Sequence, residues 1–172
     1  MYLTPECEAR AMKFAAILLD RFNGCYTLRQ FSDAIAYYNA THTRKIKWAH
    51  GVSRVVIIRA DYVIKFDIRP TSCFSDGRAG NCLTERAVFE RAEKEGWSYL
   101  LAEPSVHVDG KRVFSIMPRV NGVGLGFRDM DDYLTYDEMD ILYHNIRDLH
   151  CGNVGYYKGK PVVIDYAWDN TK

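Results

Sequence analysis

The chain has 172 residues, about one domain's worth. Hydrophobic residues make up 48% and charged residues 26%, and the formal charge is +1, so the composition is that of a soluble globule with no bulk attraction to nucleic acid or an anionic membrane. No apolar run approaches the roughly 18 residues that span a bilayer, Thr4 to Glu8 is polar and acidic rather than a leader, and the five scattered cysteines hold no Cys-x-x-Cys pair, which predicts reduced thiols in a cytoplasm.

In chain order, Thr4 with Pro5 behind it reads as an N-cap and first helical residue. Ala11, Phe14, Ala15, Leu18 and Phe22 recur at helical spacing until Gly24. Thr27 with Gln30 three residues on is a capping box for a second helix, whose apolar face is Leu28, Phe31, Ile35 and Tyr38. At Lys45 the pattern changes to strands. Ile46–Trp48, Arg54–Ile58 and Tyr62–Phe66 predict a three-stranded antiparallel meander, turning at His50–Ser53 and at Ala60–Asp61. Lys65 lies in the third strand, facing opposite to Ile64 and Phe66.

Residues 69–81 hold Pro70, Gly77 and Gly80 and read as a loop. Leu83–Glu95 is then a helix, ended by Gly96, that offers Glu85, Glu90, Glu93 and Glu95. Leu100–His107 and Arg112–Met117 predict two more strands around the Asp109-Gly110 hairpin turn, for a sheet of about five strands with one helix upon it. The glycines at 122, 124 and 126 lack the strand-before, helix-after setting of a phosphate loop and read as a linker. Met130–Leu134 reads as a short helix. Thr135 with Glu138 is a second capping box, opening a helix with Met139, Leu142, Tyr143 and Ile146 on one face.

The stretch that follows carries the chemistry. Asp148 and Asn153 lie five apart on a polar loop, and Asp165 follows the apolar run Pro161–Ile164. A carboxylate ending a buried strand is costly unless compensated. Two aspartates and an asparagine are oxygen donors of the kind that suits Mg²⁺, which can in turn hold a nucleotide's phosphates.

Together these parts resemble a protein-kinase-like fold over roughly residues 45 to 168. Asp148-Leu149-His150-Cys151-Gly152-Asn153 is similar to the Asp-x-His-x-x-Asn catalytic loop of aminoglycoside and choline phosphotransferases. Val162 to Ala167 is similar to the metal-binding Asp-Phe-Gly segment, with Tyr166 and Ala167 in place of Phe-Gly. Val63-Ile64-Lys65 resembles the Val-Ala-Ile-Lys strand, and His50 to Val56 sits where the glycine-rich loop belongs. The small, compact whole resembles the short kinase-like proteins of bacteriophages.

The resemblance implies an α+β fold with a helical extension (1–44), an N-lobe of five antiparallel strands and one helix (45–118), and a truncated, mainly helical C-lobe (119–172). It implies an ATP- and Mg²⁺-dependent phosphotransferase. Asp148 would accept the proton of the attacking hydroxyl, and Asn153 and Asp165 would hold Mg²⁺. Lys65, paired with Glu85, would meet the α- and β-phosphates. Gly51, Ser53 and Arg54 would take the place of the phosphate loop, Met117 to Arg119 would form the hinge against adenine, and His150 would support the loop by a backbone hydrogen bond. Only Gly51 remains of the glycines, and the chain ends seven residues after Asp165. Both departures point to the alternative: a catalytically weak kinase-like protein that docks on a host or partner protein.

Overall fold

The computed structural model describes residues 3–51, 53–68, 82–110, 112–121 and 134–166. The expected loop at 69–81, the linker glycines and nearly all of the short helix expected at 130–134 lie outside these residues. The architecture is α+β, with four α-helices and a five-stranded antiparallel sheet among the described residues.

Helix α1 (Pro5–Arg21) starts at Thr4, whose hydroxyl accepts from Cys7 N at 3.2 Å. Helix α2 (Leu28–Thr41) opens on the complete Thr27–Gln30 capping box. Thr27→Ala removes the acceptor for the Gln30 N–H and is expected to lower stability by about 1 kcal/mol in urea denaturation.

Strands β1 (Lys47–His50), β2 (Arg54–Ile58) and β3 (Tyr62–Asp67) form the meander, and β4 (Ser105–Asp109) and β5 (Arg112–Pro118) complete the sheet in the order β1-β2-β3-β5-β4. Ile64 pairs with Ile116, and Phe66 with Phe114. Their side of the sheet shares one core with the helices α1 and α2 through Leu18, Phe22, Phe31 and Ile35. The Phe22 ring meets Phe66 edge-on at 5.1 Å, a geometry that favours aromatic pairs.

The opposite side of the sheet faces α3 (Cys82–Glu95) and the C-terminal elements. The Leu100–His107 strand is shorter than expected. Ser98–Leu100 is a 3₁₀ turn, Leu101 makes an isolated parallel bridge to Val163, and the strand begins only after Pro104. Proline has no N–H to give a ladder. Helix α4 (Tyr136–Asn145) opens on the Thr135–Glu138 capping box. A 3₁₀ turn (Cys151–Asn153) then leads into the hairpin β6 (Val154–Tyr157) and β7 (Lys160–Val163). The hairpin turn takes φ of 50° at Lys158 and 79° at Gly159, the left-handed pair of a type I′ turn. It is tied to the end of the sheet by reciprocal backbone bonds between Asn121 and Tyr156, at 2.8 and 2.7 Å. Among the described residues, no helix is long and apolar enough to cross a membrane.

Candidate active site

Lys65 stands mid-sheet, opposite Val56 of β2 and Ser115 of β5, and is 5% exposed. The two-residue period sends Ile64 and Phe66 toward α1 and α2, and Val63 and Lys65 to the other side. An ammonium buried there is costly unless satisfied. Its Nζ donates to Glu85 Oε1 at 2.6 Å and to the carbonyl of Ile164. Glu85 is wholly buried on the first turn of α3. The same Oε1 lies 2.7 Å from Arg54 Nη1, and Arg54 Nη2 donates to Asp165 Oδ1. Lys65, Glu85, Arg54 and Asp165 thus form one chain of alternating charge.

Arg54 departs from its expected place. It was expected to face phosphate, but it is 6% exposed and held between two carboxylates. A guanidinium opening a central strand needs carboxylates around it. Burial pulls its pKa down, and Glu85 and Asp165 outweigh that and hold it raised. Burial likewise pushes Asp165 up, and Lys65 with Arg54 outweighs it, so the carboxyl sits below its ordinary value. Asp165 is therefore an anion at neutral pH, with its side chain 43% exposed.

The loop after α4 is tied to itself. Asn153 Nδ2 donates to the carbonyl of Asp148 at 2.8 Å, and Asn153 N donates to the carbonyl of His150 at 2.8 Å. Gly152 N donates to His150 Nδ1 at 3.0 Å. That contact requires Nδ1 unprotonated. A Cβ at Gly152 would lie 2.8 Å from the His150 ring, so a larger residue there would displace that ring. The carbonyl of Asn153 accepts from Ile164 N at 2.8 Å, so the loop and the residue before Asp165 are joined directly.

A cleft of about 520 Å³ opens between the sheet and this loop, a size suited to a small molecule. Val56, Ile58, Val63 and Ile164 give it apolar walls, and Gly51 lies on its rim. Lys65, Asn153 and Asp165, from three separate segments, all line it. Asp148 is exposed and is not part of the lining. Ser53 is also off the wall, and its carbonyl accepts from Ile68 N at 2.9 Å. Met117 is corrected as well. It is 1% exposed, packed in the core with Val88 and Phe89, and the cleft edge expected of it is formed by Pro118 to Asn121. Met117 pairs with Val63, so both point away from α1 and α2, and the longer side chain is taken up by the core behind α3.

The oxygen donors present fit a hard divalent cation. Asp165 offers a carboxylate, and Asn153, whose Nδ2 is used on Asp148, offers its Oδ1. One oxygen of Asp165 is shared with Arg54, so a cation there competes with a guanidinium.

Asp67 is a buried acid that belongs to none of the motifs read from the sequence. It is 1% exposed, and its carboxylate accepts from the Cys82 backbone N at 3.2 and 3.3 Å, at the start of α3. An acid between Phe66 and Ile68 in an apolar strand was the available signal. Burial pushes its pKa up to about 6 against the hydrogen bonds from Cys82, which lower it. The unfolded value is about 3.9. Between these values the folded state binds more protons, so Asp67 makes stability fall as pH rises from about 4 to about 6, by at most about 1.4 kcal/mol per pH unit. Thermal melts across this window are expected to lose that slope in Asp67→Asn.

No family model matches the chain, nor does any curated protein match it significantly. Two solved structures of WbdD align with it at 15% identity. One, described as a co-crystal with the kinase inhibitor LY294002, covers 72% of this chain with a TM-score of 0.34. The other, described as a bifunctional kinase-methyltransferase, covers 75% with a TM-score of 0.36. The chain spans about a third of the length of these proteins, 32% and 35%. The likeness is slight, and the geometry of the cleft alone carries the functional reading.

Proposed function

We propose that the cleft binds ATP with Mg²⁺ and that the chain transfers the terminal phosphoryl group to a hydroxyl of a protein or a small molecule. The single observation that supports this is the convergence of Lys65, Asn153 and Asp165 on one cleft whose other walls are apolar. In this reading the protein is a minimal protein-kinase-like fold. Residues 1–44 form a helical extension, 45–118 the N-lobe and 119–172 the C-lobe, with the cleft between the lobes.

The base would lie between Val56, Val63 and Ile164, along the edge formed by Pro118 to Asn121. Lys65, held by Glu85, would meet the phosphates. Asp165 and Asn153 would hold Mg²⁺, which when bound neutralises phosphate charge. Asp148 would orient the acceptor hydroxyl. As the hydroxyl oxygen bonds to the γ-phosphorus and the bond to the ADP oxygen breaks, its proton passes to the Asp148 carboxylate. Such transfer needs positioning and charge neutralisation and no covalent nucleophile on the protein.

The Arg54–Asp165 contact favours a second reading, a catalytically weak protein of the same fold that acts by binding a host or partner protein. The two are separated by incubation with γ-labelled ATP and Mg²⁺, reading label moved to the chain, to an added protein mixture or to water. Label that depends on Asp165 supports transfer. Label equal in the wild type and Asp165→Ala contradicts it.

A further inference from the structure

A second concavity, of about 630 Å³, lies between α1, the start of β1 and the turn joining β2 to β3. Seven basic side chains and one carboxylate, Asp61, line it among the described residues. The whole chain carries only +1, so cationic charge is concentrated here. Arg10 is matched by Asp61 at 3.0 Å. Arg59 lies over the Phe14 ring at 4.5 Å, Arg119 Nη1 donates to the Arg59 carbonyl at 3.1 Å, and Lys45 donates to the Asn39 carbonyl. Lys13, Arg44 and Lys47 are exposed and meet no carboxylate among the described residues. Ile58, Ala60 and the half-exposed Ile17 also line the concavity.

We propose that this groove docks an acidic segment of a partner protein, an extended peptide that sets carboxylates on Lys13, Arg44 and Lys47 and an apolar side chain against Ile17. Clustered charge of one sign beside an exposed apolar side chain such as Ile17 selects an oppositely charged ligand that also has apolar surface. A nucleic acid strand fits less well. Single strands are held by stacking bases on open aromatic faces, whereas the Phe14 ring is covered by Arg59 and Tyr62 is 7% exposed. Ile58 and Arg119 line both this groove and the candidate nucleotide cleft. A docked segment therefore runs to the mouth of the cleft. On the phosphotransfer reading the groove holds an acidic protein acceptor, while the docking itself stands without that reading.

The test uses the full chain without nucleotide. Fluorescence anisotropy is read for a labelled peptide of glutamates and leucines, for its lysine-for-glutamate counterpart, and for a single-stranded oligonucleotide. The acidic peptide is expected to bind and the lysine peptide not. Lys13→Glu with Arg44→Glu and Lys47→Glu is expected to weaken binding by at least about tenfold, and Ile17→Ser by about threefold. These are surface changes, and a melting temperature near that of the wild type shows that the variants fold. Absence of acidic-peptide binding, binding unchanged by the charge reversals, or tighter binding of the oligonucleotide would overturn the proposal. Phosphoryl transfer can fail while this binding holds, and the reverse, so the two readings are judged apart.

Discussion

Asp148→Ala is expected to slow phosphoryl transfer by about 10²–10⁴-fold, the usual worth of a positioned acid or base, while nucleotide affinity stays within a few-fold. The split follows from where the residue sits. Its side chain is exposed and off the cleft wall, so the nucleotide loses no contact. Its backbone carbonyl, not its carboxylate, accepts from Asn153 Nδ2, so the substitution leaves the loop tied and Asn153 in place. A loss confined to the chemical step marks a group that acts on the acceptor hydroxyl. Single-turnover transfer beside a nucleotide titration makes the comparison. Equal rates in the two proteins would remove Asp148 from the reaction.

Glu85→Ala is expected to cost about 3–5 kcal/mol in urea denaturation, the range for breaking a buried ion pair from one side. Two cations depend on one oxygen. Lys65 and Arg54 reach Glu85 Oε1 at 2.6 and 2.7 Å, and they are 5% and 6% exposed. Removing the carboxylate leaves buried Lys65 with the Ile164 carbonyl as its hydrogen-bond acceptor and buried Arg54 with Asp165 alone, in an interior where an undercompensated charge is severely penalised. The double variant Glu85→Leu with Lys65→Met removes a cation along with the anion, and is expected to lose less than Glu85→Ala. A cost below about 1 kcal/mol for the single variant would mean that the charge chain is not buried as the geometry has it.

Local signals in the sequence carried furthest. Thr27 with Gln30 and Thr135 with Glu138 each bond within one helical turn, so three residues of spacing suffice to place a helix start. The Asp109-Gly110 turn works in the same way, with φ of 59° at Gly110. Alternation along Tyr62–Asp67 put Lys65 on the face opposite Phe66, which is where it stands.

What was not legible depends on distant partners. Arg54 finds Asp165 across 111 positions, and no period in either strand encodes that. The expected Lys65–Glu85 pair is present, but what selects Glu85 among four glutamates on one helix is Lys65 on another element, not a signal within the helix. Leu101 belongs to the strand-like run before Pro104, yet its partner is Val163 of the C-terminal hairpin. The resemblance implies Met117 at the cleft, whereas the core it shares with Val88 and Phe89 takes its side chain in.

On the proposed function, Lys65 and Asp165, which line one cleft, together hold a metal-bound triphosphate. Isothermal titration of ATP into the wild type, with and without Mg²⁺, and into Lys65→Met tests it most directly. Heat of binding is expected to strengthen with Mg²⁺ in the wild type and to be lost in Lys65→Met. No heat at millimolar nucleotide, or equal heat in both proteins, would contradict it.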